Sequence, residues 1–223
     1  MSGGGLDLLA GGTLGAWAIR NSSPALVRQV VCLDDALIVV AAERGHEVFA
    51  GDPHDAAFAP ARAGLSVHFP LILRPHLIDR YGGVIWNLHP GLLPYGRGMY
   101  PVFWALWEGT PAGATLHELT AGLDAGPVVE RRKVVVLDSD TGGRLHERVQ
   151  GAERDLFLRW MPRLAAGARP VAQPQRPGGC TYHTLAEFEF MRDEGRYEVP
   201  RAERERLRRC LTFPSARIPS SQR

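Results

Sequence analysis

Residues 83–94 read Gly-Val-Ile-Trp-Asn-Leu-His-Pro-Gly-Leu-Leu-Pro, a short apolar run that ends in an amide, an imidazole and a proline. The continuous apolar character of 83–88, bounded by Gly and Pro, predicts a buried strand. Asn87 and His89 are two positions apart, so an extended backbone directs both side chains to the same face. Ligands of open α/β sheets bind beyond the carboxyl ends of strands, which makes this pair a candidate site.

The residues before this strand alternate short apolar runs with segments of helical period, which is the pattern of an α/β sheet covered by helices. Gly11 to Gly15 predict a turn into a short helix. Asp34 and Asp35 are suited to cap a helix over 36–44 that stops at Gly45. Strands are predicted over residues 6–9, 28–32, 46–50 and 65–69.

The residues after the strand continue the same pattern. They predict a helix over 101–108, strands over 114–118 and 128–136, and a long helix over 143–166 that contains Pro162. The fold class is therefore α/β, with a Rossmann-like open sheet forming one domain over residues 1–168. Beyond it the sequence turns Pro- and Arg-rich and predicts a linker, a charged helix over 203–210, and a short C-terminal extension over 169–223.

Composition excludes several classes of protein. The formal net charge of +2 does not indicate a nucleic-acid-binding surface. The three cysteines, at 32, 180 and 210, lack disulfide or zinc spacing and favour a cytoplasmic location, and the histidines show no metal spacing, so we expect no metal. The apolar start over 6–18 lacks the basic residues of a signal peptide. No apolar run approaches the roughly 20 residues of a membrane span, so no membrane partner is expected.

A second candidate residue, Asp124, lies in the Gly-rich segment 120–127. Gly122 and Gly126 on either side would let the backbone approach a ligand closely. Taken separately, Asp124 is equally typical of a turn, and Asn87 and His89 are also common as turn and capping residues.

The combination of Asn-x-His-Pro-x-Leu-x-Pro at 87–94 with Leu-Asp-x-Gly at 123–126 resembles the folate-dependent formyltransferase family. The resemblance covers about residues 65–158 and extends more loosely over the first sixty. It implies 10-formyltetrahydrofolate as formyl donor and Asn87, His89 and Asp124 as catalytic residues. Asn87 would donate to the formyl oxygen, His89 would stabilise the oxyanion and shuttle a proton, and Asp124 would orient His89 and accept the proton of the amine.

The resemblance also implies which residues bind the donor. The pterin ring would contact main-chain atoms of two loops, whose residues are Leu71, Ile72 and Leu73 in one and Ala121, Gly122 and Leu123 in the other. Without the resemblance, residues 69–75 are more typical of buried strand and turn.

The segment from Arg97 to Pro101 resembles that of methionyl-tRNA formyltransferases and nucleotide-sugar N-formyltransferases. Arg97, Gly98 and Tyr100 are therefore predicted to bind the acceptor, with the Arg97 guanidinium suited to an anionic group. A solvated loop arginine is the alternative for Arg97.

The acceptor itself is expected to be a nucleotide-linked (dTDP) amino deoxysugar. Residues 182–188 and 211–214 look like the extension of sugar N-formyltransferases, and we expect the segment after Gly167 to be too short for a tRNA-binding barrel. The extension is a candidate for substrate contacts and for contacts of a homodimer. The alternatives are a non-sugar small-molecule amine, hydrolysis of the formyl donor, and a non-catalytic binding relative.

Three further sets of residues have ordinary structural interpretations. His117 lies inside the predicted strand 114–118 and is expected to be a supporting residue there, with contact to the catalytic trio as the alternative. Trp86, Trp104 and Trp107 are expected in the core rather than on a stacking platform. The glycines of 11–15 lack the full GxGxxG pattern and do not predict a dinucleotide site.

Overall fold

The structure is a computed structural model that describes residues 5–82, 84–176, 178–193, 196, 199–201, 203 and 204. Its strands are β1 Leu6–Ala10, β2 Val27–Cys32, β3 Val48–Ala50, β4 Gly64–Val67, β5 Ile85–His89, β6 Arg97–Gly98, β7 Ala112–Glu118, β8 Val128–Val134 and β9 Tyr182–His183. Its helices are α1 Gly12–Arg20, α2 Asp35–Glu43, α3 Pro75–Arg80, α4 Pro101–Glu108, α5 Gly142–Ala165 and α6 Leu185–Asp193.

Seven of the strands form one open sheet in the order β3-β2-β1-β4-β5-β7-β8. The first five are parallel, whereas β7 is antiparallel to both β5 and β8. The chain moves outward from β1 to β3 and then returns to the other side of β1 with β4. The predicted α/β class with a Rossmann-like open sheet is therefore confirmed, and the strand order has the reversal typical of doubly wound folds.

The two faces of the sheet bury different sets of residues. Trp86 and Leu88 of β5 belong to the main hydrophobic cluster, which includes residues of α1 and α5. Ile85 belongs to a second cluster with residues of α3. Because side chains alternate along a strand, Asn87 and His89 share the face of Ile85. The candidate pair therefore lies on the α3 face of the sheet.

Local sequence chemistry explains where several elements begin and end. Asp34 caps α2 by accepting a hydrogen bond from the N–H of Ala36 at 2.8 Å, and Gly45 follows the helix with φ of 75°. Pro101 occupies the first turn of α4, where its missing N–H removes no helical hydrogen bond. Helix α5 runs through Pro162 to Ala165. The elements that the sequence predicts at these places are confirmed.

The structure corrects two other predictions and contains one helix that was not predicted. The glycines of 11–15 do not form a turn before the helix, because α1 already begins at Gly12 and buries Gly15 against β1. Residues 70–74 form neither helix nor strand, and the side chain of Ile72 is 72% exposed, so they are not buried strand. Helix α3, directly after them, was not predicted.

The C-terminal extension, which begins at residue 169, packs against the domain that precedes it. Strand β9 pairs with β6 in a small parallel sheet, and α6 contributes Phe188 and Met191 to a cluster with Phe103, Trp104 and Trp107 of α4. All three predicted core tryptophans are buried, with Trp86 in the main cluster. Of the predicted helix over 203–210, the structure describes only residues 203 and 204. Gly83, Pro177, Cys210 and residues 211–214 also lie outside the described residues.

Candidate functional site

The site begins with two histidines and an asparagine on neighbouring antiparallel strands. In the register of β5 and β7, Asn87 lies opposite His117 and His89 opposite Thr115, so all four side chains share one face. The Nδ2 of Asn87 lies 3.2 Å from the Nε2 of His117. The predicted strand position of His117 is confirmed, and the side chain contacts Asn87 directly.

Asp124 reaches this face from the loop between β7 and β8. Its backbone is left-handed, with φ of 49°, and its side chain is 9% exposed. Gly126 is required in the same loop, because a Cβ there would lie 1.8 Å from the carbonyl oxygen of Glu118. The loop thus folds tightly against the end of β7 and turns the Asp124 carboxylate inward.

The Asp124 carboxylate lies between the two imidazole rings. Its Oδ2 is 3.7 Å from the Nδ1 of His89, and its Oδ1 is 3.6 Å from the Nε2 of His117. Both separations exceed hydrogen-bond range. Oδ2 instead accepts a hydrogen bond from the backbone N–H of Gly98 at 2.9 Å. The structure therefore brings together the three predicted catalytic residues, with room for small adjustments on binding.

The hydrogen bonds of His89 determine which of its nitrogens faces Asp124. The Nε2 of His89 lies 2.8 Å from the carbonyl oxygen of Gly96, which can only accept, so this nitrogen carries a hydrogen. The Nδ1 is the nitrogen that faces the carboxylate. Any proton that His89 gains or gives up at this site therefore moves at Nδ1.

His117 is neutral in the folded protein. Burial, opposed by the charge of Asp124, lowers its pKa to about 4. Its Nδ1 donates to the carbonyl oxygen of Glu118 at 2.9 Å, which leaves Nε2 to accept from the Asn87 amide. His117 thus fixes the orientation of Asn87 and leaves the second N–H of that amide free to point elsewhere.

The predicted acceptor residues lie between His89 and Asp124 in sequence, and one of them contacts the trio directly. Gly98 touches Asp124 through its N–H, whereas Tyr100 is 43% exposed and its ring stacks on Phe188 with a centroid distance of 3.5 Å. The Arg97 side chain is half-buried and donates from Nη2 to the Oε1 of Gln175 at 2.7 Å. A freely solvated Arg97 is therefore excluded.

Gln175 is a residue of this region that sequence reasoning missed. Its Nε2 donates to the carbonyl oxygens of Asp124 and Gly126 at 2.7 and 2.8 Å. The Pro-rich composition around it is typical of a linker, and no local pattern marks this glutamine. Only the tertiary contact identifies it.

The two predicted donor loops rise from one hydrophobic cluster. Leu73 is part of the second cluster, and Leu119, at the start of the Asp124 loop, packs against the same cluster. The N–H of Leu119 also donates to the carbonyl oxygen of Ile85 at 2.8 Å. Leu71, Ile72 and Leu73 on one side and Ala121, Gly122 and Leu123 on the other thus belong to loops anchored on the face of Asn87.

The arrangement supplies the groups that acyl transfer requires. An amide donor and an imidazole can stabilise negative charge on a carbonyl oxygen, and a carboxylate can accept a proton from an attacking nucleophile. Over the described residues, no group of three or more His, Cys, Asp or Glu side chains is placed to hold a metal ion. In that same part of the chain, no helix has both the length and the apolar character to span a membrane.

A cavity of about 540 Å³ lies away from these residues. It is bounded by the end of α4, strand β8 and Arg201, and it includes none of the trio. The candidate site is therefore defined by the convergence of Asn87, His89 and Asp124, and this cavity is separate from it.

Parts of the chain are similar to known proteins. Residues 56–161, just under half of the chain, match the formyl transferase family model. Methionyl-tRNA formyltransferase from Xanthomonas axonopodis pv. citri (strain 306) is 42% identical over 98 residues, which cover 44% of this chain and 32% of that protein. The chain spans between about a third and about half of the length of the curated relatives it matches.

Solved structures share the fold. A 4-N formyltransferase from Francisella tularensis superposes with a TM-score of 0.69 at 20% identity, covering 93% of this chain and 88% of that one. The formyltransferase PseJ from Anoxybacillus kamchatkensis superposes with a TM-score of 0.63 at 24% identity, covering 89% and 96%. That structure contains UDP-4,6-dideoxy-4-formamido-L-AltNAc and tetrahydrofolate.

Proposed function

We propose that the chain belongs to the folate-dependent formyltransferase family, close to the nucleotide-sugar formyltransferases, and that it transfers a formyl group from 10-formyltetrahydrofolate to a primary amine. The observation that carries the proposal is the convergence of Asn87, His89 and Asp124 on one face of the sheet. Family membership alone would not require that a given chain keeps this geometry.

The contacts of each residue of the trio suit that residue to one step of the proposed reaction. Asn87 keeps one N–H on His117 and directs the other to the formyl oxygen. His89, protonated at Nδ1, donates to the same oxygen as negative charge develops there. Asp124 accepts the proton that the amine must lose. The new bond joins the amine nitrogen to the formyl carbon, and the bond from that carbon to N10 of the folate breaks. His89 gives its Nδ1 proton to N10, and the proton that Asp124 takes from the amine then passes to Nδ1 of His89.

The donor fits the two loops that flank the trio. The exposed Ile72 and the half-buried Leu71 and Leu123 offer main-chain groups beside apolar surface, which suits a flat heterocycle. The donor supplies the activated formyl group, and the loops hold its ring so that the formyl carbon meets the trio.

For the acceptor we favour a nucleotide-linked amino deoxysugar. The fold neighbours include sugar N-formyltransferases, and the Nε of Arg97 is buried with no hydrogen-bond partner among the residues that the structure describes. A guanidinium with free donors suits an anionic diphosphate. The sequence relatives include methionyl-tRNA formyltransferases, so the assays described below also include a tRNA as acceptor. Residues 1–168 form the catalytic domain in this proposal, and 169–223 form an extension that contributes to the site and to a homodimer.

Formylation assays with purified protein and 10-formyltetrahydrofolate test the proposal. The acceptors are dTDP- and UDP-linked amino deoxysugars, a simple amino sugar without a nucleotide, and initiator methionyl-tRNA. We expect mass spectrometry to show the gain of one formyl group on a nucleotide-linked sugar, with tetrahydrofolate released in equal amount.

The pattern of products separates the alternatives. Formylation of tRNA and of no other acceptor would contradict the proposed sugar acceptor but would support formyl transfer as the reaction. Release of tetrahydrofolate with free formate and no formylated amine would indicate hydrolysis of the donor. No consumption of the donor with any acceptor would contradict the proposal as a whole.

A further inference from the structure

We infer that Gln175 is a positioning residue that holds the Asp124 loop and Arg97 in one arrangement, so that the C-terminal extension forms part of the catalytic centre. The inference rests on the proposed function, because it gives Gln175 a role in the reaction of the trio. The carboxamide of Gln175 hydrogen-bonds to the loop on one side and to Arg97 on the other.

The amide of Gln175 is fully used by these contacts. Its two N–H groups are accounted for by the carbonyl oxygens of Asp124 at 2.7 Å and Gly126 at 2.8 Å. Its Oε1 accepts from the Nη2 of Arg97 at 2.7 Å. The two carbonyl oxygens need two N–H donors, and the Arg97 guanidinium needs an acceptor. A glutamine amide supplies two N–H groups and one carbonyl oxygen.

The loop that Gln175 holds needs such support. Asp124 has a left-handed backbone, which costs a non-glycine residue about 1 kcal/mol or more unless its surroundings stabilise it. The hydrogen bond to its carbonyl oxygen stabilises the backbone at the residue that carries the carboxylate. The hydrogen bond to Gly126 fixes the point at which the loop closes on Glu118.

Gln175 can act as a fixed point because the chain is anchored on both sides of it. Gln173 forms a backbone bridge with Val128, with both N–H to O distances at 2.8 Å. Thr181 accepts from the N–H of Gly96 at 2.7 Å through its Oγ1, and its carbonyl oxygen accepts from the N–H of Arg97. Gln175 therefore lies between two residues whose contacts with the preceding part of the chain are described.

The expected consequence is a loss of turnover with a smaller loss of donor binding. Without Gln175 the Asp124 carboxylate can shift away from His89, and displacement of a catalytic group by about 1 Å can lower a rate on the order of 100-fold. The printed contacts of Gln175 are with Asp124, Gly126 and Arg97 and not with the proposed donor residues 71–73 and 121–123, although 121–123 belong to the same loop as Asp124, so affinity for the folate should fall less than turnover.

Three variants of the full chain test this. Gln175→Ala removes all three hydrogen bonds. Gln175→Glu keeps the size of the side chain and the acceptor for Arg97, but it places oxygen against the two carbonyl oxygens. Gln173→Ala is the matched control, because the Gln173 side chain is exposed and its bridge uses only backbone atoms.

We expect both Gln175 variants to lower kcat by about 10- to 100-fold and to raise KM for 10-formyltetrahydrofolate by a smaller factor, because Ala121, Gly122 and Leu123 lie in the same loop. Hydrogen exchange of a peptide covering residues 119–127 should become faster in both, and the thermal midpoint should change little. Gln173→Ala should match wild type in every measurement.

Three results would overturn the inference. They are wild-type kcat in Gln175→Ala, unchanged exchange at 119–127, or an equal loss of kcat in Gln173→Ala. Near-normal turnover in Gln175→Glu with loss in Gln175→Ala would assign the role to Arg97 alone and remove the link to Asp124. If wild-type protein formylates no amine, the proposed function fails, and the exchange measurement still decides whether Gln175 holds the loop.

Discussion

At the scale of single residues, the chemistry depends on where the Asp124 carboxylate lies. It faces the Nδ1 of His89 and the Nε2 of His117 at similar distances and is bonded to neither, and a single backbone N–H, that of Gly98, holds it. A carboxylate held in this way keeps a lone pair available for a substrate proton. His117, although outside the predicted trio, determines how the Asn87 amide is oriented.

Replacement of Asp124 by Asn should abolish most of the turnover. The amide has nearly the same size but cannot accept the proton of the amine, and general base catalysis contributes on the order of 100- to 10,000-fold. We expect kcat for formyl transfer to fall within that range, with circular dichroism and the thermal midpoint unchanged. Near-normal kcat in a folded Asp124→Asn protein would show that the assignment is wrong.

The buried His117 should make the protein less stable in mild acid. Its pKa is about 4 in the folded protein and near 6.5 in the unfolded chain, so between these values only the unfolded chain takes up the proton. Stability is therefore lost as pH falls through this window, by about 3 kcal/mol near pH 4. Urea unfolding of wild type and His117→Gln between pH 7 and pH 4 measures the difference.

The comparison between the two proteins isolates the contribution of His117. Burial also lowers the pKa of His46 and His146, while Glu153 raises that of His68 against the effect of burial, but these groups are present in both proteins. Parallel pH profiles for wild type and the variant would refute the assignment of a neutral, buried His117.

Part of this site follows from the sequence and part does not. The two-residue spacing of Asn87 and His89 predicts a shared face from local geometry alone. The contact between Asn87 and His117 depends on the register of β5 with β7, which local spacing does not determine. Gln175 reaches Asp124 across 51 positions of sequence, so no local pattern could have revealed it.

At the scale of elements, the helices that could be predicted are those with capping residues or prolines at their ends. Asp34 and Gly45 enclose α2, and Pro101 begins α4, because capping and proline geometry act over a few neighbouring residues. Helix α3 has only six residues and no side-chain cap, too short for a periodic pattern. The strand order is likewise unpredictable from local signals, because it results from packing across the whole sheet.

The cap of α2 gives a prediction at this scale. Asp34→Ala removes the acceptor for the N–H of Ala36 and should lower the free energy of unfolding by about 1 kcal/mol. Asp34→Ser, which keeps an acceptor at the cap, should lose much less. Chemical denaturation of the three proteins is the measurement. Equal stability of Asp34→Ala and wild type would mean that the cap does not stabilise the helix.

At the scale of the whole molecule, the extension and the catalytic part meet at the pairing of β6 with β9. Gly98 lies at this junction with φ of 87°, and a Cβ there would lie 2.4 Å from the carbonyl oxygen of His183. The same residue donates its N–H to Asp124. One glycine therefore links the docking of the extension to the position of the carboxylate.

Gly98→Ala should separate the two parts of the molecule. We expect loss of formyl transfer and faster hydrogen exchange at residues 181–183, with exchange in the seven-stranded sheet unchanged. Gly45→Ala is the control, because Gly45 also has positive φ but open space around its Cβ position, so it should lose only about 1–3 kcal/mol of stability. Unchanged exchange at 181–183 in Gly98→Ala would refute the coupling.

The left-handed backbone at Asp124 has a practical consequence for identifying the acceptor. Besides glycine, asparagine and aspartate are the residues that tolerate this conformation best, so Asp124→Asn should retain the loop while losing the reaction. An inactive protein with an intact pocket can be isolated with its natural ligands still bound. Mass spectrometry of small molecules that copurify with it offers a way to capture the acceptor without guessing its structure first.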